Sequence, residues 1–406
     1  MPSVLPEGQL PPVDGSLPKS VVPGANERDF GLYIHVPFCA VRCGYCDFNT
    51  YTASELDGVS QQTYPQMAAR ELELAHEVMT RVGLPPRPLS TVFFGGGTPT
   101  LLGPKPLVML LDRARQLWGV EPGAEITVEA NPDSVSADDL AALASGGVTR
   151  VSFGVQSANL EVLATLDRTH DPKLVPQVVA DARAAGLQVS LDLIYGAPGE
   201  TLEQWEQTLA YAVGLAPDHL SAYSLIVEPG TKLAARMKRG ELVPIDEDLH
   251  ADMYVLADET LMAAGYHWYE ISNWARSLDH HSRHNEAYWK SHDWWGIGPG
   301  AHSHIGGLRW WNVKHPSAYA TRMEQGFSPA HARETLTPEQ HHMERILLGL
   351  RMNSGIPTAW VGPEAPPLLA QWVSRGLLDG QALLSGRIVL TQSGRLVADL
   401  LAGELT

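Results

Sequence analysis

The stretch HVPFCAVRCGYCDF, residues 35–48, contains every cysteine of this 406-residue chain. Cys39, Cys43 and Cys46 have the spacing C-x3-C-x2-C and directly follow GLYIHV (31–36), a run of β-forming residues. An odd number of cysteines in so short a window does not make a disulfide framework. The spacing therefore predicts three thiolates that bind a metal group.

The composition limits the class of protein. The formal net charge of −17 argues against a nucleic-acid binder, which needs a basic surface to meet phosphates. No run approaches the ~20 apolar residues of a membrane-spanning helix, and the N-terminus lacks the pattern of a signal peptide. We expect a cytoplasmic location, where thiols stay reduced. Residues 1–28 are rich in Pro and Gly and predict a disordered tail.

Six short β-like runs alternate with helical segments from residue 30 onward. This alternation predicts right-handed βαβ units and a parallel sheet. Six units are fewer than the eight that close a complete barrel. The sequence thus predicts an α/β domain over residues 29–255, as a partial barrel or a doubly wound sheet. The runs lie at 31–36, 91–97, 125–132, 150–157, 188–196 and 219–227.

Four of these runs alternate between an apolar and a polar face. A strand covered by helices on both sides is apolar throughout, so helices are expected on one side only. The polar side would line the interior of a partial barrel. Glu129, Gln156 and Asp192 then lie near the carboxyl ends of the strands, where barrels bind ligands. The alternative is an ordinary half-exposed sheet.

The pattern changes after residue 255. Residues 256–330 are rich in Trp and His and are predicted to form a connecting region, which contains HNEAYW at 284–289. Residues 331–406 contain helical segments and a hairpin-like run, ALLSGRIVLT, at 382–391. Two helices, a hairpin and a last helix predict a winged-helix-like α+β module. Because the chain is acidic, we expect a lid or interaction domain and not a DNA reader.

Three cysteines leave a metal site one ligand short. A structural zinc site normally has four protein ligands, and the nearby His35 lies within the strand. Iron–sulfur clusters are held by cysteine thiolates, and a four-iron cluster usually takes four of them. Three thiolates would leave one iron open to a small molecule. Zinc stays the alternative.

The loop CAVRCGYC, with an aromatic residue before its last cysteine, resembles the signature of the radical S-adenosylmethionine (SAM) superfamily. Further motifs make the chain similar to the oxygen-independent coproporphyrinogen III oxidase-like family. These motifs are YIHVPFC, GGGTPT, VEANPDS, FGVQS, LDLIYGAPGET, EPGT, YEISNWA and RHNEAYW, in this order from residue 29 onward. The resemblance implies a partial (βα)6 barrel and a [4Fe-4S] cluster whose open iron binds SAM. It also implies cleavage of SAM to a 5′-deoxyadenosyl radical.

The same resemblance implies which residues bind SAM. The set comprises Tyr33 and Tyr45 beside the cluster, Gly96, Gly97 and Thr98 at the amino group of SAM, Glu129, Gln156 and Asp192 in the barrel, and Arg168. Glycine lets backbone approach a ligand closely. The three barrel residues are those that the strand pattern places near the strand ends, whereas Arg168 rests on the resemblance alone.

Two functions occur among the proteins that this chain resembles. One is the oxidase, which decarboxylates the propionates of coproporphyrinogen III. The other is a haem chaperone, which binds haem and passes it to recipient haemoproteins. The oxidase has a fourth cysteine two residues beyond the third, where this chain has Phe48. HNEAYW fits the H-N-x-x-Y-W motif of the chaperones, so we favour the chaperone and keep the oxidase as the alternative.

His284 opens the HNEAYW motif and is the predicted haem ligand. A neutral imidazole is a natural axial ligand of haem iron, and a helix would place His284 and Tyr288 on one face. Four other histidines compete for the role: His280, His281, His302 and His304. A homodimer is kept as a candidate assembly.

Overall fold

The computed structural model of the protein describes residues 7–52 and 60–406. Within these residues twelve strands form one sheet, and two short strands pair separately. The strands are β1 (Phe30–Val36), β2 (Leu89–Gly96), β3 (Val120–Ala130), β4 (Arg150–Gln156), β5 (Gln188–Tyr195), β6 (His219–Ser224), β7 (His267–Glu270), β8 (Asn273–Ala275), β9 (Asp293–Ile297), β10 (His302–Ile305), β11 (Leu308–Asn312), β12 (Ala330–Thr335), β13 (Ile356–Pro357) and β14 (Arg387–Ile388).

The helices of the described residues alternate with these strands and then dominate the C-terminal part. They are α1 (Tyr64–Val82), α2 (Pro104–Trp118), α3 (Ala137–Ser145), α4 (Leu160–Thr165), α5 (Val175–Ala184), α6 (Leu202–Gly214), α7 (Lys232–Lys238), α8 (Glu247–Ala263), α9 (Arg283–Trp289), α10 (Pro316–Glu324), α11 (Pro338–Gly349), α12 (Ala365–Ser374), α13 (Gly380–Leu384), α14 (Gln392–Arg395) and α15 (Ala398–Leu405).

The first six strands form the parallel part of the sheet. β1 to β6 lie side by side in chain order, each parallel to the next. Local sequence fixes the helices between them: α3 and α6 both begin with capping boxes, and α1 ends at Gly83 in the left-handed conformation. The predicted α/β class, the six strand runs and the open parallel sheet are confirmed.

Both edges of the parallel part are extended. β9 pairs with β1 in parallel, and β10, β11 and β12 follow as antiparallel strands, while β8 and β7 extend the sheet beyond β6. The predicted connecting region, residues 256–330, supplies β7 to β11, whereas β12 (Ala330–Thr335) lies almost entirely in the predicted C-terminal module. The sheet therefore extends past the expected boundary at residue 255.

The apolar side chains of the parallel strands are buried under the helices. Leu32 and Ile34 on β1 and Val128 on β3 are fully buried, in one continuous core with Leu72 of α1. Of the intervening polar residues, Thr127 and Ser152 are buried, and Glu129 and Asp192 are partly buried. Burial of the apolar face is what orients the polar face toward the interior of the partial barrel.

The disordered tail predicted for residues 1–28 is corrected for the part that the structure describes; residues 1–6 lie outside the described residues. Gln9 exchanges two backbone hydrogen bonds with Arg333 of β12, at 2.8 and 2.9 Å. Val21 is fully buried in the core, and the Arg28 Nε donates to Asp293 Oδ1 at 2.9 Å. Scattered apolar residues among the prolines thus provide enough burial to hold the segment in place.

The C-terminal residues build a hydrophobic cluster of their own. Ile346, Leu369, Trp372 and Leu401 are among its buried members. The hairpin predicted at 382–391 is wrong, because residues 380–384 form α13 and β14 pairs with β13, about thirty residues earlier in the chain. Helix formation by QALL outcompetes the turn suggested by Ser-Gly. In the described residues no helix is long and apolar enough to cross a membrane.

Candidate cofactor site

The three cysteines lie on the loop that follows β1, and each is a free, half-buried thiol. Backbone hydrogen bonds anchor this loop. The Cys39 N–H donates to the Tyr51 carbonyl (3.0 Å), and the Gly44 N–H donates to the Leu166 carbonyl just after α4 (3.1 Å). The Gly44 carbonyl accepts from the Leu233 N–H in α7 (2.8 Å). Two helices at the rim of the barrel therefore position the cysteine loop.

Burial protects two of the thiols, Cys39 and Cys46, from ionisation in the free chain. Burial, helped by the neighbouring Cys46, raises the pKa of Cys39 to about 12, and burial also raises the pKa of Cys46. The Cys43 Sγ accepts a hydrogen bond from Arg168 Nη1 at 3.4 Å. Because thiols bind metal as thiolates, loading must release protons. No three His, Cys, Asp or Glu side chains of the described residues lie close enough together to hold a single metal ion.

The glycine turn after β2 packs directly on the start of the cysteine loop. The Gly97 N–H donates to the Val36 carbonyl (2.8 Å), and the Thr98 N–H donates to the Phe38 carbonyl (2.7 Å). A Cβ on Gly97 would lie 2.4 Å from the Phe38 carbonyl oxygen, closer than atoms can pack. Only glycine allows this approach, so the turn helps to fix the loop that holds the thiols.

A chain of hydrogen bonds joins three strand ends to the cysteine loop. The Asn131 Nδ2 donates to Thr98 Oγ1 (3.2 Å), and Arg168 Nη2 donates to Asn131 Oδ1 (2.9 Å) and to the Gly154 carbonyl (2.7 Å). The same guanidinium reaches Cys43. Its Nε is buried without a hydrogen-bond partner among the described residues. Sequence reasoning missed Asn131, although it directly follows a strand, which is the signal that identified Glu129.

Two carboxyl groups face the interior from β3 and β5, on either side of β4. Glu129 Oε2 accepts from the Gly96 N–H at 3.1 Å, and Asp192 Oδ2 accepts from Ser152 Oγ at 2.8 Å. Burial, and then the charge of Asp192, raises the pKa of Glu129 to about 8. Burial also raises the pKa of Asp192. Both groups are available to form hydrogen bonds with the hydroxyl or amino groups of a ligand.

Gln156, at the end of β4, is held in a strained backbone conformation. Its φ is +62°, in the left-handed region that non-glycine residues rarely occupy. The Gln156 amide lies close to Gly154, where a Cβ would be 2.8 Å from Gln156 Nε2. Backbone strain of this kind concentrates at functional sites.

The two predicted tyrosines lie on different sides of the cysteine loop. Tyr45 packs on the apolar cluster around Leu166 and Ile194. Tyr33, on β1, stacks on Phe93 with a ring-centre distance of 6.2 Å. The structure therefore brings Tyr45 to the helical rim and Tyr33 to the interior.

His284, the predicted haem ligand, lies inside the barrel in α9. Its side chain is 2% exposed. Its Nδ1 is 2.8 Å from Thr91 Oγ1, and its Nε2 is 2.8 Å from Tyr288 OH. The ring also stacks on Phe93 at 5.1 Å. Both nitrogens are thus engaged, and burial alone lowers the pKa of His284 to about 3. In this conformation His284 offers no nitrogen to an iron.

A cavity of about 640 Å³ opens beside the cysteine loop, between that loop and the antiparallel extension of the sheet. Tyr33 belongs to its wall, so it adjoins the predicted SAM residues. Its lining consists of Tyr33, His35, Asp47, Phe48, Asn49, Tyr288, Ser291, Trp294, Gly300, Ala301, His302, His304, Arg309, Lys314, Glu344 and Leu348. The volume lies in the range of about 300–1,000 Å³ that is typical of ligand pockets.

Comparison with known proteins identifies the family. The radical SAM superfamily profile matches residues 33–212. Heme chaperone HemW of Mycobacterium tuberculosis is 45% identical over 379 residues, which cover 93% of this chain and 95% of that protein. Heme chaperone HemW of Bacillus subtilis is 35% identical over 384 residues, covering 91% and 97%. The chain belongs to the HemW family.

A solved structure supports the fold of this HemW-family chain. Coproporphyrinogen III oxidase (HemN) from Escherichia coli, described as a radical SAM enzyme, superposes with a TM-score of 0.78. The two chains are 25% identical, and the match covers 95% of this chain and 92% of that one. The predicted radical SAM fold is therefore confirmed.

Membership in the radical SAM superfamily implies a [4Fe-4S] cluster and SAM, and the residues of this HemW-family chain fit both groups. Three thiols lie on one anchored loop. The unpaired Arg168 Nε is a donor that suits a carboxylate. Because the Gly97 and Thr98 N–H groups are already used, that turn offers acceptors, which suit an amino group.

Proposed function

We propose that this chain is a haem chaperone, which binds haem and transfers it to recipient haemoproteins. The observation that carries the proposal is the likeness to heme chaperones over nearly the full length of both chains. Phe48 supports it, because it stands where the resembling oxidases have a fourth cysteine. A cavity of ligand size beside the cysteine loop offers room for a flat macrocycle.

We propose that Cys39, Cys43 and Cys46 hold a [4Fe-4S] cluster with SAM at its open iron. When bound, the cluster would supply an electron donor and a binding position for the amino and carboxylate groups of SAM. Arg168 would orient the carboxylate and shield Cys43, which it already contacts. Glu129 and Asp192 would accept hydrogen bonds from SAM, and Gln156, Tyr33 and Tyr45 would complete its surroundings.

The oxygen-independent oxidase remains the competing function, and one experiment separates the two. Purified protein is titrated with haemin, and reduced, reconstituted protein is assayed with SAM and coproporphyrinogen III. We expect saturable haem binding with a Soret band and no protoporphyrinogen IX. Product formation at oxidase-like turnover without haem binding would reverse the assignment.

Three further parts of the proposal concern the location, the recipients and the assembly of the protein. A cytoplasmic location is proposed because cluster thiols need a reducing compartment. Haem transfer to recipients is tested by mixing haem-loaded protein with an apo-haemoprotein and following the Soret shift. The candidate homodimer is tested by light scattering of cluster-loaded protein, where a monomer mass would reject it.

A further inference from the structure

The histidines around the cavity differ in the state of their ring nitrogens. His35 has Nδ1 at 3.1 Å from Tyr33 OH and Nε2 at 2.8 Å from the Asn49 carbonyl. His304 has Nδ1 at 2.9 Å from the His292 carbonyl, and its Nε2 accepts from the Gly307 N–H at 3.2 Å. His284, behind the wall, is engaged at both nitrogens as described above. In these three imidazoles both ring nitrogens already have partners within the protein.

His302 is the exception. It lines the cavity, its side chain is exposed, and neither ring nitrogen has a hydrogen-bond partner in the part of the chain that the structure describes. The residue is nevertheless anchored. Its carbonyl accepts from Trp294 Nε1 at 3.1 Å, and its ring stacks on Trp311 with 5.8 Å between ring centres. The ring of His302 is therefore fixed in position while its nitrogens remain free, as an iron ligand requires.

The rest of the lining suits a flat, apolar molecule with acidic groups at its edge. Phe48 lines the cavity with 62% of its side chain exposed, so its ring is accessible to a ligand there. Tyr288 and Trp294 form a T-shaped pair with ring centres 4.6 Å apart and supply further aromatic surface. Haem offers such an apolar plane to aromatic side chains.

The two cationic side chains that line the cavity differ in their ion pairing. Arg309 is neutralised by Glu334 (2.8 Å) and Glu344 (2.6 Å). Lys314 lines the same cavity and has no ion-pair partner within 4.0 Å among the described residues. It is the lining cation that remains available to pair with the carboxylate of a ligand.

We propose that haem docks in this cavity with its iron on His302, its plane against Phe48 and Trp294, and a propionate at Lys314. The proposal rests on the proposed haem-chaperone function and assigns its site. It gives His284 a positioning role, because that residue fixes Tyr288 from behind through the 2.8 Å contact. It also places haem next to Asp47–Asn49, immediately after Cys46, so that the cysteine loop forms one wall of the haem site.

The test compares haemin titrations of wild type, His302→Ala and His267→Ala. His267 is an exposed histidine at the opposite edge of the sheet, in β7, and serves as the matched control. Loss even of an outer-shell partner weakens a metal site about 10–100-fold, so we expect His302→Ala to lose at least about tenfold in haem affinity. The spectrum of imidazole-ligated haem should disappear in that variant and persist in His267→Ala.

Two further measurements keep the outcomes distinct. Free imidazole should restore the ligation spectrum in His302→Gly, which a merely structural role of His302 would not produce. Lys314→Ala should weaken haem binding while leaving that spectrum unchanged. If wild type binds haemin and His302→Ala is identical to it in affinity and spectrum, the site is wrong while the chaperone function stands. If wild type does not bind haemin, the proposed function itself fails.

Discussion

The parallel part of the sheet and its antiparallel extension build their sites in different ways. In β1 to β6 all strands point the same way, so residues that follow different strands, such as Thr98, Asn131 and Arg168, meet in one network. In β9 to β12 the direction alternates, and the cavity is lined from loops and from strand faces. The difference teaches that the cofactor site is built from residues that follow successive parallel strands. The proposed haem site is instead built from segments that are distant in sequence.

The most decisive way to separate the two regions is to remove one thiol. Cys43→Ser should abolish [4Fe-4S] loading, because two thiolates cannot hold a cluster that normally uses three or four. Haem binding should persist, since no cysteine lines the cavity. Iron and sulfide analysis after anaerobic reconstitution, together with a haemin titration, measures both. Simultaneous loss of haem binding would show that the cysteine loop must be ordered before the cavity can function.

Glu71 of α1 joins the two regions. Its carboxylate accepts from the Tyr319 OH (2.6 Å), the Gly298 N–H (2.7 Å) and the Asn312 Nδ2 (2.7 Å), all of which belong to the extension. Glu71→Ala leaves these buried donors without an acceptor, so we expect a loss of about 3 kcal/mol or more in unfolding free energy.

Denaturant unfolding of Glu71→Ala and Glu73→Ala provides the comparison. Glu73 lies on the same helix but makes an exposed ion pair with Arg113, which contributes little to stability. A cost for Glu71→Ala no larger than that for Glu73→Ala would mean that the extension docks without this carboxylate.

Sequence could predict the parallel part because its signals are local. Each strand and the motif that follows it are contiguous, as in VEANPDS or GGGTPT, so the predicted positions fall at neighbouring strand ends. The extension could not be read in this way. Its strands have only three to six residues, as in β8 and β11, and β9 joins the sheet beside β1, where Asp293 lies opposite Phe30, far away in sequence. The Trp-rich composition resembles a connecting region.

His284 shows what a motif leaves undetermined. HNEAYW contains the chemistry of a haem ligand, but whether a ring nitrogen is free depends on Thr91, which is 193 positions away in sequence. His302, one of the competing histidines, differs only in its tertiary contacts. Burial and hydrogen-bond partners of this kind are not encoded in any local pattern, so sequence left the choice among the histidines open.

The pH dependence of the unfolding free energy tests whether Glu71 is protonated in the folded chain. Burial raises its pKa from 4.5 to about 7, so the folded chain keeps the proton over a range in which the unfolded chain has lost it. Wild type should therefore lose stability as pH rises from about 4.5 to 7. Glu71→Gln does not titrate, so its unfolding free energy relative to wild type should rise over the same range, by on the order of 3 kcal/mol. A difference that is constant with pH would show that Glu71 is ionised throughout.

The smallest expected effects compare backbone strain in the two regions. Gln156 at the cofactor site and Ser291 in the cavity wall both have positive φ, at 62° and 54°. Glycine adopts this conformation without strain but costs more entropy on folding. Gln156→Gly and Ser291→Gly should therefore change the unfolding free energy by within about 1 kcal/mol. Ala216→Gly, at φ 51° and outside both sites, is the control for the backbone alone.

Binding of SAM and haemin should distinguish the two variants, whose unfolding free energies are expected to be similar. Gln156→Gly should weaken SAM binding to the reconstituted protein, because it removes an amide from the cofactor site, and should leave haem binding unchanged. Ser291→Gly should leave SAM binding unchanged, since Ser291 lines the cavity and is not one of the predicted SAM residues. Calorimetric titration of each variant with SAM and haemin measures this pattern. Equal loss of SAM affinity in both variants would mean that the two sites share one ligand-binding surface, and the contrast between the two parts of the sheet would then fail.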